Sequence, residues 1–157
     1  MTLKKKWISQ KIGFISFGFF LILVGFIWLN TPGLKDAVVT FFRDFHLGEA
    51  FQDIYLPAPR SPQNHEVVYT AFQQFCIGIG LFQIVILVLR FALGSSINDK
   101  AGTISSFVFW LGLAFFVGFL LTATIGWFGF LAGFIVVAGL SIIVRGLAQI
   151  LMHTLRM

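Results

Sequence analysis

The sequence predicts an all-α integral membrane protein: a four-helix bundle with an external amphipathic helix in its first loop. Three observations support this fold class. Hydrophobic residues make up 58% of the 157 residues and charged residues only 11%, whereas soluble domains average about 25% charged residues. Long uncharged runs have the length of membrane spans, and the charges between them are sorted by loop. The size allows one membrane domain, 1–157.

The first span is predicted at about 12–29, a run of 18 uncharged residues that follows a basic N-terminus. At the helical rise per residue this run reaches about 27 Å, close to the thickness of a hydrocarbon core. The apolar stretch is longer than that of a typical secretory signal peptide, and no small-x-small cleavage site follows it. We therefore expect a retained span rather than a cleaved leader.

The loop at 30–66 is too polar to span a membrane, but its first part has helical periodicity. Apolar residues recur at three- and four-residue spacing from Leu34 to Phe45, with charged residues on the other face. This pattern predicts an amphipathic helix. Gly48 can end that helix, and the prolines of "LPAPRSP" are expected to prevent regular structure after it.

The other spans are predicted at about 67–89, 104–121 and 127–144. Residues 101–144 are 44 uncharged residues, which would extend about 66 Å as one helix and must therefore contain two spans. The stretch "LGSSINDKAG", 93–102, has Ser96 and Asp99 at capping-box spacing, and Gly94 can end the preceding helix. It lacks the residue order of a phosphate-binding loop, so we interpret it as a turn between helices.

The charges predict how the chain is threaded. The N-terminus, the 90–103 turn and the C-terminal tail carry eight Lys and Arg residues against one acidic residue, whereas the 30–66 loop carries three against five. Lys and Arg favour the cytoplasmic side. The sequence therefore predicts a multi-pass protein of the cell membrane with both termini cytoplasmic, and no nucleic-acid partner is expected.

The spans contain no ionisable residue of the kind that marks ion paths and proton relays, so we expect no catalytic residues, no metal site and no cofactor. Polar side chains in the spans are candidates for packing between helices or for contact with a ligand. They are Gln73, Gln74, Gln83 and Ser141. Gln83, nearest the midplane, is expected to form an interhelical hydrogen bond.

The acidic and histidine residues of the loop match no zinc-binding motif, and they are expected to be solvated. They are Asp44, His46, Glu49, Asp53 and His65.

Glycines in the fourth span form a candidate helix-packing face. Gly129 and Gly133 have G-x-x-x-G spacing, and Gly139 belongs to a second line of small residues. Small residues let helix backbones approach closely inside a bilayer. This face can serve contacts within the bundle, between protomers, or with a partner helix.

The segment "INDKAGTISSFVFWLG", with a glycine-rich last span ending "IIVRG", resembles small uncharacterised archaeal polytopic membrane proteins over the last 60 residues. The resemblance implies a helical membrane fold and brings no activity with it.

The sequence favours a non-catalytic accessory subunit or scaffold that packs with partner helices in the lipid bilayer. Its partner would be a second copy or another membrane protein. Two alternatives remain open: an oligomeric transporter or channel, and an intramembrane protein that binds a lipid or a quinone.

Overall fold

The computed structural model describes residues 3–154, and it describes side chains from residue 10 onward. Four long helices carry the fold: α1 (Leu3–Asn30), α3 (Glu66–Ala92), α4 (Ile97–Leu121) and α5 (Trp127–Thr154). Each is long and apolar enough to cross a membrane. The four helices include the predicted spans and extend beyond them. In particular, α5 continues past Val144 and Arg145 to the last described residues.

The four long helices pack side by side in the order α1, α3, α4, α5. Helix α4 lies inside this row, since between Ile97 and Leu121 only Asn98 and Phe115 are exposed. Helix α1 joins the row mainly through α3, where Phe19 stacks on Phe82 with ring centroids 3.9 Å apart. The four-helix part of the prediction is therefore confirmed. The helices form an open row, however, and α1 and α5 are its edges.

The helices alternate in direction, so the connections fall at two ends. One end carries residues 31–65 and the Thr122–Gly126 turn, and we call it the loop end. The other carries the start of α1, the Leu93–Ser96 turn and the end of α5, and we call it the tail end.

The turn at 93–96 is built as the sequence predicts. Gly94 adopts a φ of +63°, and its N–H and that of Ser95 donate to the carbonyls of Phe91 and Arg90. Ser96 is the N-cap of α4, and its hydroxyl accepts a hydrogen bond from the Asp99 N–H at 3.1 Å. These local bonds satisfy backbone groups that both helix ends would otherwise leave unpaired.

The all-α prediction is wrong for residues 45–59. Helix α2 (Leu34–Arg43) is amphipathic as predicted, but it ends at Arg43, and Phe45 and Gly48 belong to a β-hairpin. Strands β1 (Phe45–Phe51) and β2 (Ile54–Pro59) pair antiparallel, with Phe45 opposite Pro59. "LPAPRSP" therefore does not stop regular structure, because β2 has a neighbour on one side only and prolines are tolerated on such edge strands.

Candidate functional site: the aromatic cavity at the loop end

The polar side chains predicted as candidate contacts lie at separate places. Gln73 donates through Nε2 to the carbonyl of Ala114 on α4 at 3.2 Å. Ser141 accepts a hydrogen bond at its carbonyl from Ser105 Oγ at 2.7 Å, nearer the tail end. Gln74 is exposed and Gln83 half-buried, and neither makes a hydrogen bond within residues 10–154. Among the three predicted glutamines, Gln73 rather than Gln83 thus forms the hydrogen bond to a neighbouring helix.

The predicted glycine face divides into different environments. Gly133 is buried, and a Cβ placed on it would overlap the ring of Phe116 on α4. A Cβ on Gly129 would meet Ile125, one turn back along the chain, at 3.2 Å, and a Cβ on Gly139 would meet nothing within 4 Å. Of the three, Gly133 is the glycine that allows close packing between described helices.

A cavity of about 410 Å³ lies at the loop end, where the chain brings four helices together. Ligand-binding cavities in proteins range from about 300 to 1,000 Å³. Its floor is formed by Val117 and Leu120 of α4, which are 1% and 6% exposed. Its sides come from the first turns of α3 and α5. The cavity therefore occupies the crevice that α4 leaves between its two neighbours.

Six of the ten residues that line the cavity are aromatic. They are Phe41, Tyr69, Phe72, Trp127, Phe130 and Phe134. Phe72 and Phe134 are the two exposed members of the lining, one on each flanking helix, so they mark the opening. The cavity therefore opens on the side of the helix row where these two rings lie.

Helix α2 forms the roof of this cavity. The Phe41 ring packs edge-on against Tyr69 and Trp127, with ring centroids 5.9 and 6.0 Å away, and against Phe45 and His65 at 5.0 and 5.1 Å. Edge-to-face contacts at these distances stabilise aromatic clusters beyond the burial of area alone. An amphipathic segment outside the spans thereby closes the end of the cavity.

Asp44 holds the roof in place. Its Oδ2 accepts hydrogen bonds from His65 Nε2 at 2.8 Å and from the Ser61 N–H at 2.9 Å. These bonds lower the pKa of the Asp44 carboxyl below its ordinary value of 3.8. An ionised carboxylate only accepts, so Nε2 of His65 carries the shared proton. The expectation of a solvated side chain is wrong for His65, which is 4% exposed, whereas the Asp44 side chain keeps 21% of its surface exposed.

The polar atoms beside the cavity are either already hydrogen-bonded or not exposed to its interior. Trp127 donates its indole N–H to the carbonyl of Pro57 at 3.0 Å, which fastens the hairpin to α5. The Tyr69 hydroxyl is buried and has no hydrogen-bond partner among residues 10–154. The accessible wall of the cavity is hydrocarbon and aromatic carbon. Such a wall can hold an apolar group but provides no acid, base or nucleophile.

Within the described residues, no three His, Cys, Asp or Glu side chains are placed to hold a metal ion. His46 is turned to its own hairpin, where Nδ1 lies 2.8 Å from the carbonyl of Ala58. Glu49 and Asp53 are exposed on the same hairpin. Of the five acidic and histidine residues, Asp44 and His65 therefore form a pair, His46 contacts its own hairpin, and Glu49 and Asp53 are exposed.

Comparison with protein-family models, curated proteins and solved structures gives no match for this chain. The resemblance of its last 60 residues to small archaeal membrane proteins stays a prediction.

Proposed function

We propose that the protein is a non-catalytic multi-pass membrane protein that acts as an accessory subunit or scaffold and packs with partner helices along α1 and α5. One observation carries this proposal: α1 and α5 have outward-facing glycines at which a Cβ would meet nothing within 4 Å, whereas Gly78, Gly80, Gly112 and Gly133 lie against side chains of neighbouring helices. The partner is a second copy or another membrane protein.

Four glycines, which we call the inner glycines, lie where neighbouring long helices pack against each other. A Cβ on Gly80 would lie 2.6 Å from Leu111, and one on Gly112 would lie 2.9 Å from Val137. A Cβ on Gly78 would lie 2.8 Å from Leu23, and one on Gly133 would overlap the ring of Phe116. At each of these glycines a larger residue would force the neighbouring side chain to shift, as expected of close helix contacts in membranes.

The edge glycines have no neighbour among the described residues. Gly18 and Gly25 of α1 are seven residues apart, as are Gly139 and Gly146 of α5, and a Cβ on any of them would meet nothing within 4 Å. A seven-residue interval keeps residues on one helix face. Glycine costs a helix about 1 kcal/mol relative to alanine in water. Helices from a partner would give these positions the contacts that the inner glycines already have.

Strongly exposed apolar side chains lie along the same two lines. On α1 these are Phe14, Ile22 and Leu29, at 77%, 71% and 85% exposure. On α5, Ile135 and Ile143 flank Gly139 at 70% and 60%. Each edge thus offers a groove at the glycines between projecting side chains, the shape into which a second helix packs.

The proposed setting is the cell membrane, with the termini in the cytoplasm and the loop end outside. Its support is the sorting of Lys and Arg toward the tail end and of carboxylates toward the loop end.

The test is the size of the complex that a mild detergent extracts from membranes of cells that naturally express the gene. We expect the tagged wild-type protein to migrate as a complex larger than one 17.6 kDa chain. The double variant Gly18→Leu/Gly25→Leu, or Gly139→Leu/Gly146→Leu, should shift it toward the monomer because leucine fills the groove. Val24→Leu, exposed on another face of α1, is the matched control. A wild-type monomer, or complexes unchanged in both double variants, would contradict the proposal.

A further inference from the structure

We propose that the cavity at the loop end is a binding site for a single hydrocarbon chain of a lipid, which enters sideways between α3 and α5. This site is separate from the two edges that carry the proposed function. It depends on the membrane location but not on any protein partner. The chain comes from one of two sources, a fatty acyl group or an isoprenoid.

The chemistry of the wall selects a hydrocarbon. A quinone or other polar ring would bring carbonyl oxygens that need donors, and a polar group buried without a hydrogen bond costs several kcal/mol. The Trp127 N–H already donates to Pro57, and the Tyr69 hydroxyl is buried away from accessible space. A cation would face no carboxylate in the lining. A methylene chain needs none of these groups.

The position of the cavity matches the depth at which lipid chains begin. Its walls are the first two turns of α3 and α5 and the last turn of α4, just inside the loop end of the spans. Tyr69 and Trp127 lie at this level, where such side chains favour the boundary between headgroups and hydrocarbon. A chain entering past Phe72 and Phe134 would leave its headgroup outside the cavity.

The cavity also differs from ordinary lipid-exposed surface, because it has a floor, two sides and a roof. Phe41 covers it from α2, and Asp44 and His65 fix that helix to the start of α3. Protein interiors hold few voids larger than a water molecule, and a cavity lined by apolar side chains stays dry but takes up apolar guests. A lipid chain would fill a space that the protein itself leaves unfilled.

The test uses Trp127, which lines the cavity, as a reporter of brominated lipid in nanodiscs of unbrominated phosphatidylcholine. Two titrants are added separately: a phosphatidylcholine with dibrominated acyl chains and a brominated isoprenoid alcohol. The signal from Trp127 is the emission of each protein minus that of its Trp127→Phe form. We expect a quenching component that saturates at low mole fraction and removes more than half of that signal.

Matched variants separate the cavity from the lipid around the protein. Val68→Phe places a ring in the cavity lining, while Val67→Phe makes the same change at the preceding, exposed position. Val68→Phe should abolish the saturating component, and Val67→Phe should keep it. Leu131→Phe fills the opposite wall and gives a second reading should Val68→Phe fail to fold.

Each outcome decides the proposal. Saturation by one titrant alone identifies its chain type as the ligand, and saturation by both supports a site for hydrocarbon chains of either source. Quenching that rises in proportion to mole fraction for both titrants would show only random lipid contact. That result, or saturation that survives Val68→Phe and Leu131→Phe, would overturn the proposal.

Discussion

Nε2 of His65 lies 2.8 Å from Oδ2 of Asp44, and this contact joins the end of α2 to the start of α3 across 21 residues. The intervening chain forms the β-hairpin, whose first residue, Phe45, contacts Phe41 and Trp127. The pair therefore closes the loop at its base. It keeps Phe41 over the cavity, while the hairpin extends from the same point to α5.

Removing the Asp44 carboxylate should loosen the roof and leave the long helices intact. In Asp44→Ala, His65 and the Ser61 N–H both lose their acceptor, and a buried group without a partner is costly. We expect faster amide exchange in the 45–59 hairpin and α2, with little change in α4. Glu49→Ala removes an exposed carboxylate from β1 and is the control. Equal protection of the hairpin in both variants would contradict the role given to Asp44.

The same pair predicts how the roof responds to acid. Because hydrogen bonding lowers the pKa of Asp44 in the folded protein below its ordinary 3.8, its stabilising contribution is complete above that value. It is lost as the pH falls further, through the lowered pKa. Protection of the hairpin relative to Asp44→Ala should therefore be constant from neutral pH down to about 4 and should decline only below it. A decline that begins near pH 6 would rule out this origin.

The sequence predicted those parts of the fold that depend on local pattern. The lengths of the uncharged runs predicted the four long helices, and the spacing of Ser96 and Asp99 predicted the turn between α3 and α4. The hairpin at 45–59 was missed because Phe45 continues the apolar face of α2, and the pairing that overrides this face is made with residues farther along the chain.

The cavity depends on which helices are neighbours and how each is rotated, and neither follows from hydropathy. Gln73 and Gln83 lie in the same predicted span, and the sequence does not distinguish their roles. Only Gln73 faces α4 closely enough for its side chain to donate to the Ala114 carbonyl. The sequence places Asp44 and His65 among five acidic and histidine residues of the loop, all expected to be solvated. Their pairing required a loop conformation that no spacing rule supplies. The aromatic residues of the cavity gave no separate signal among 21 Phe residues.

Gly133→Ala should destabilise the isolated protein, whereas Gly139→Ala should not. A methyl group on Gly133 would overlap the Phe116 ring, and overpacking of this kind costs about 1–3 kcal/mol. Gly139 faces open space, so alanine there keeps or slightly raises the stability of the helix. Thermal unfolding of the two variants in detergent measures the difference. Equal melting temperatures would show that α4 and α5 do not pack closely at Gly133.

The proposed threading predicts which end of the protein an impermeant thiol reagent reaches on intact cells. Glu49→Cys at the loop end should react, and Leu93→Cys at the tail end should react only after the cells are opened. Both positions are exposed. Cys76 is fully buried, so the wild-type protein serves as the unlabelled control. Labelling of position 93 but not 49 on intact cells would reverse the orientation.

Tyr69→Phe should stabilise the protein, since the hydroxyl it removes lacks a hydrogen-bond partner within the described residues. Tyr69 is 5% exposed, and an unpaired buried hydroxyl costs about 1–3 kcal/mol by comparison with protein mutational data. The ring, which packs against Phe41 and lines the cavity, is retained. Tyr55→Phe makes the same change at an exposed site on the hairpin and should leave the melting temperature unchanged. A lower melting temperature for Tyr69→Phe alone would mean that the hydroxyl is bonded in the membrane, and a polar ligand group would then have to be considered for the cavity.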